Sequence, residues 1–61
     1  PYFVSAHNYL GIYYSSLGKN GEAKKYWLEG LQINPADINI NNNLKQLNLI
    51  LDQRNNIPSK K

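Results

Sequence analysis

Two short breaks in helical periodicity govern what this chain can fold into. The first is Gly18-Lys19-Asn20-Gly21, where two glycines and an asparagine suit a tight helix-ending turn. The second is Asn34-Pro35, because the residue before a proline is pushed out of the α region. On either side of these breaks, apolar residues recur at the three- and four-residue spacing of one helix face. Phe3, Ala6, Leu10, Tyr13 and Leu17 form such a stripe in the first segment, which predicts that this stripe faces the core. Ala23, Trp27, Gly30 and Leu31 form the second, extended by Tyr26 and Ile33. Ile40, Leu44, Leu47 and Leu51 form the third, widened by Ile50. The expected fold is all-α, with helices over about 2–17, 21–33 and 37–54. The connecting loop at Gly18–Gly21 is short, so the first two helices must return antiparallel as a hairpin. Asp37 is the expected N-cap of the third helix. That helix holds Asn39, Asn41, Asn42, Asn43 and Asn48, all poor helix formers, so it depends on packing. Residues 55–61 have no periodicity and contain Pro58, and are expected to be a disordered tail.

Length limits the core. A chain of 61 residues buries only about 60% of the surface its unfolded form exposes. Domains this small usually add a disulfide, a metal or association. There is no cysteine, so disulfides and thiol-ligated metals are excluded. The same absence fits a reducing compartment, with a cytoplasmic setting as the default, without fixing it. Because the chain starts at Pro1 without an initiator Met, we expect a piece of a longer protein. No apolar run approaches the roughly 20 residues of a membrane-spanning helix. The net charge of +3 comes from seven Lys and Arg against four Asp and Glu. Lys19, Lys24, Lys25, Lys45 and Arg54 are scattered among acids rather than drawn into a stripe, so no nucleic-acid partner is expected.

The spacing of particular residues carries a family resemblance. His7, Leu10-Gly11, Tyr14, Gly18, Ala23, Trp27, Gly30-Leu31 and Pro35 follow the pattern of the tetratricopeptide repeat (TPR), as the stretch GIYYSSLGKNGEAKKYWLEGLQINP makes visible. The chain resembles one such repeat over roughly residues 4–37, followed by a capping helix over 38–54. That resemblance implies a piece of an α-solenoid with a right-handed superhelix. Three positions depart from the pattern. His7 stands where a large apolar residue is usual, which suggests a semi-exposed first turn, and one repeat on Lys45 and Asn48 replace the expected Gly and Tyr. The physics of the spacing agrees with a hairpin. Gly11 and Ala23 are small residues on facing helices, Gly30 offers a second close approach, and Tyr14 and Trp27 fill the space alongside.

Chemistry finds few candidates. A nucleophile–base pair would have to use His7, the sole histidine, and Ser15 and Ser16 lie about two turns away from it. Glu22 and Glu29 are about 10.5 Å apart along the helix axis, too far to share a water. Asp37 reads as a cap and Asp52 as a solvated residue. We expect no enzyme activity from these residues, and no catalytic, metal or cofactor site.

Binding is the better expectation. The resemblance implies a concave groove lined by successive first helices. Its positions here are Tyr2, Ser5, Asn8, Tyr9, Ile12, Ser15 and Ser16, continued on the third helix by Asn39, Asn42, Asn43 and Gln46. Tyrosine flanked by amides suits peptide recognition, offering large area, few rotamers and hydrogen bonds to a main chain. Tyr2, Tyr9 and Ile12 would equally suit packing against a preceding repeat. Some TPR proteins grip an acidic C-terminus with groove lysines and asparagines; only Asn8 stands at such a position, so that mode is not expected. The expected function is a protein-interaction module with a scaffold role, binding a peptide or helix of a partner protein. Its competitors are a homo-oligomer formed through Tyr2, Tyr9 and Ile12, and a C-terminal appendage of a larger enzyme. Direct membrane contact is not expected.

Overall fold

The chain forms three α-helices: α1 (Tyr2–Ser16), α2 (Asn20–Ile33) and α3 (Ile38–Asn55). This computed structural model describes residues 2–55, and their side chains over 3–53. The expected tail falls mostly on residues 56–61, outside the described residues, and Asn55 closes α3. The structure is all-α: among the described residues there is no strand.

Each break has its own physical device. At the first, Gly18 takes φ 78°, the left-handed conformation that glycine adopts without a Cβ penalty. The Lys19 N–H then donates to the Tyr14 carbonyl at 2.9 Å and the Gly18 N–H to Ser15 at 3.0 Å. This pair of bonds is the Schellman ending of a helix, and it satisfies two of the carbonyls that α1 leaves behind. At the second break the backbone turns through Asn34, whose Oδ1 accepts the Ala36 N–H at 3.3 Å. Asp37 caps α3: its Oδ1 accepts from the Ile40 N–H at 2.9 Å. Asn41 closes the same turn, donating from Nδ2 to the Pro35 and Asp37 carbonyls at 3.0 and 2.8 Å. An asparagine that is unfavourable inside a helix is thereby useful in its first turn.

Contacts along the helices fix their directions. His7 meets Gly30, Gly11 meets Trp27, and Tyr14 stacks on Tyr26 with ring centroids 5.4 Å apart, so α1 and α2 run antiparallel. Ile40 lies on Gly30, while Leu47 lies beside Trp27, so α3 turns back along α2 in its turn. Consequently α1 and α3 run side by side in the same direction, both resting on α2. The core consists of Val4, Ala23, Trp27, Ile40, Leu44 and Leu47, with Tyr14, Leu31 and Leu51 packed at its margin.

Three expectations about packing need correction. The nearest neighbour of Gly11 is Trp27: a Cβ at Gly11 would run into the indole. The aromatic therefore sits on the glycine instead of beside it. Ile33 and Ile50, read as extensions of core stripes, are each 50% exposed. The largest correction concerns α1. Phe3, Ala6, Leu10, Tyr13 and Leu17 are all exposed, Phe3 to 73% and Tyr13 to 56%. The side turned inward carries Val4, His7, Asn8, Gly11, Tyr14 and Ser15. Closeness decided this outcome. With no side chain at Gly11, the backbone of α1 can settle on a flat indole, and the same face carries Val4 into the core and Tyr14 to its margin.

Candidate functional site

A groove opens between α1 and α3, on the side away from the apolar stripe. On a helix of 3.6 residues per turn, Ser5, Ile12 and Ser16 lie about 120° to one side of Gly11, while Phe3, Leu10 and Leu17 lie about as far to the other. Helix α3 occupies the first side only. The groove has a volume of about 410 Å³ and is lined by Ile12, Ser15 and Ser16 of α1, Asn43, Gln46, Leu47 and Ile50 of α3, and Asn20 and Trp27 of α2. Trp27 and Leu47 belong to the buried core, so its floor is apolar and rigid. Its walls carry Ile12 and Ile50, both about half exposed, and its rims carry hydroxyls and amides.

A smaller, polar hollow of about 140 Å³ lies further along the same side, between Ser5, Asn8 and Tyr9 of α1 and Asp37 and Asn39 at the start of α3. A hydrogen bond between the helices joins a lining residue of one hollow to a lining residue of the other. Asn43 donates from Nδ2 to Asn8 Oδ1 at 2.8 Å, and the Asn8 carbonyl accepts the Trp27 indole N–H at 3.2 Å. Asn8 thus ties all three helices together. Both of its bonds are partly buried, where a lost partner costs more than at the surface.

The structure brings together most of the residues that sequence reasoning assigned to the groove. Ile12, Ser15, Ser16, Asn43 and Gln46 line the larger hollow, and Ser5, Asn8, Tyr9 and Asn39 the smaller. Asn42 is exposed on α3 and lines neither, and the side chain of Tyr2 lies outside the described residues. Four lining residues of the larger hollow escaped the sequence reading: Asn20, Trp27, Leu47 and Ile50. Ile50 was findable, because it follows Asn43 and Gln46 at helical spacing. Trp27 and Leu47 were not, since a core residue shows no sign in the sequence of also forming a groove floor. Asn20 was read as turn but is the first residue of α2.

The remaining polar residues have local roles. His7 donates from Nδ1 to the Phe3 carbonyl at 2.6 Å, its Nε2 lies 3.5 Å from Glu29 Oε1, and its Cβ covers Gly30. Its ring faces Tyr26 at 6.5 Å. Ser16 donates back to the Tyr13 carbonyl at 2.6 Å, as serines near helix ends commonly do. Lys25 lies over the Tyr26 ring at 5.6 Å, on α2 and outside the groove. Among the described residues no group of His, Cys, Asp and Glu is placed to hold a metal ion. None of the described helices is long and apolar enough to cross a membrane. Compared with known proteins, the chain matches no family model, no curated protein and no solved structure.

Proposed function

We infer that this chain is a protein-interaction module of the tetratricopeptide type, a helix hairpin closed by a capping helix, that holds an extended segment of a partner protein between α1 and α3. One observation carries the reading: two helices running in the same direction over a third, with an apolar floor and polar rims between them. An extended peptide alternates side chains and main-chain amides along its length. The floor of Trp27 and Leu47 and the walls of Ile12 and Ile50 suit its apolar side chains. Ser15, Ser16, Gln46 and Asn43 on the rims suit its N–H and C=O groups, which must keep hydrogen-bond partners when they leave water. Such side-chain pockets with polar rims supply selectivity in peptide grooves. The TPR-like spacing from His7 to Pro35 supports the same reading from the sequence side. The groove lining contains no Lys, Arg, Asp or Glu, which favours a partner segment of apolar and neutral polar residues.

The test exploits Trp27, the single tryptophan, which forms part of the groove floor. Peptides selected against the folded chain from a displayed random library should change its fluorescence on binding. Ile12→Glu and Ile50→Glu should each weaken that binding by about tenfold or more, with helical circular dichroism unchanged. Phe3→Ser, on the opposite side of α1, should leave it within about twofold. Peptides indifferent to Ile12 and Ile50, or a selection that returns none, would remove the reading.

A further inference from the structure

We propose that the apolar stripe of α1, Phe3, Ala6, Leu10, Tyr13 and Leu17, is a self-association surface on which a second copy of this chain docks antiparallel, the two helices crossing at Leu10. This surface is separate from the groove, and the inference does not depend on the groove having a ligand. Four observations converge on it. The stripe is exposed along its whole length: Phe3 to 73%, Leu10 to 38%, Tyr13 to 56% and Leu17 to 53%. Among the described residues, no other element covers its regular spacing of three and four.

The area is of the right size. With aromatic side chains worth about 150–250 Å² each, the exposed part of the stripe amounts to about 500 Å² per copy. A symmetric pair that covered the whole stripe would bury at most about 1,000 Å², the lower limit of a specific interface.

The charge pattern selects the occupant. Helix α1 contains no Lys, Arg, Asp or Glu. In a two-fold interface each residue near the axis meets its own copy, so any charge there would repel itself. A helix free of charge escapes that cost.

Side-chain size selects the direction. Leu10 lies midway between Phe3 and Leu17, so an antiparallel crossing at Leu10 places Phe3 against Leu17 of the other copy and Ala6 near its Tyr13. Small then faces large, as close packing requires. A parallel pairing would set Ala6 on Ala6 and Tyr13 on Tyr13, leaving a hole at one level and a clash at the next. It would also align the two helix dipoles.

The chain has no cysteine, which makes single-cysteine variants clean reporters. Sedimentation equilibrium of the native chain from micromolar to millimolar concentration should show a monomer–dimer equilibrium. Leu10→Cys should give a covalent dimer on mild oxidation, whereas Phe3→Cys and Ser16→Cys alone should not. Mixing Phe3→Cys with Leu17→Cys should restore cross-linking. Leu10→Lys should raise the dimer dissociation constant by about a hundredfold. Tyr13→Lys, at a more exposed position, should do the same if the first variant loses helicity. A native chain that stays monomeric at millimolar concentration overturns the proposal. So does a dimer that survives both lysine variants, or one that cross-links through Ser16→Cys in the groove. Self-linking by Phe3→Cys would overturn the antiparallel arrangement.

Discussion

The two helix junctions of this small protein are built on opposite principles. Between α1 and α2 the contact is made by absence: glycine at positions 11 and 30 lets a tryptophan and a histidine side chain lie directly on backbone. Between α2 and α3 it is made by presence, with Ile40, Leu44 and Leu47 supplying aliphatic bulk against α2. Gly30 serves both junctions, with Ile40 on one side and His7 on the other. Two routes to dense packing thus coexist within three helices. The first junction has no room for added atoms, and the second has none to lose.

The connecting turns repeat the contrast. The α1–α2 turn ends α1 with backbone hydrogen bonds around Gly18 and uses no side-chain cap at Lys19. The α2–α3 turn relies on the side chains of Asn34, Asp37 and Asn41. One turn depends on conformational freedom, the other on side-chain acceptors and donors.

Trp27, like Gly30, is shared by the two junctions, and its removal should have the largest effect. Trp27→Ala strips the cover from Gly11 and the neighbour from Leu47 together. It should cost about 3–5 kcal/mol, comparable to the whole stability of a chain this size, and leave it unfolded by circular dichroism at 25 °C. A cooperative thermal transition retained in that variant would show that the junctions are independent.

The next pair of variants sharpens the contrast itself. Ile40 is fully buried, so Ile40→Ala should cost about 2–5 kcal/mol through the cavity it leaves. Gly11→Ala adds one methyl where the indole already sits. It should cost about 1–3 kcal/mol despite the better helix propensity of alanine. Replacing Trp27 by Leu should relieve the Gly11→Ala clash, so the double variant should be more stable than the two single costs predict. Denaturant titration of the four proteins measures this, and strict additivity would refute the contact.

The smallest effects belong to the turns. Gly18→Ala forces a Cβ into the left-handed region and should cost about 1 kcal/mol. Asp37→Ala removes the acceptor of the Ile40 N–H and should cost about 1 kcal/mol as well. Asp37→Asn, which keeps an acceptor, should recover most of that loss, while Gly18→Asn should recover part of the other. Thermal melts resolve both, since about 1 kcal/mol moves the midpoint by roughly 4–8 °C in a domain this small.

How far the sequence could be read differs along the chain. Helix α3 was legible in its cap at Asp37 and its buried face at Ile40, Leu44 and Leu47, and misleading only at Ile50, which lies half exposed. Helix α1 was legible as a helix and misleading as a packed element. It carries an apolar stripe and a small-residue line on different faces, and periodicity reports only the first. The groove was partly legible. Its rim residues stand at helical intervals outside the core stripes, but its floor is made of core residues from α2 and α3 whose double duty has no pattern.

What the sequence determined by itself is local. Glycine at 18, the Asn34-Pro35 pair and aspartate at 37 set where helices stop and start, since each acts through its own backbone or its nearest neighbours. What only the tertiary structure decided is which side of α1 turns inward, and with it which surfaces are left to partners. That choice compares the burial of five apolar side chains with the close approach of a glycine backbone to an indole. The balance depends on distances between helices that no single segment contains.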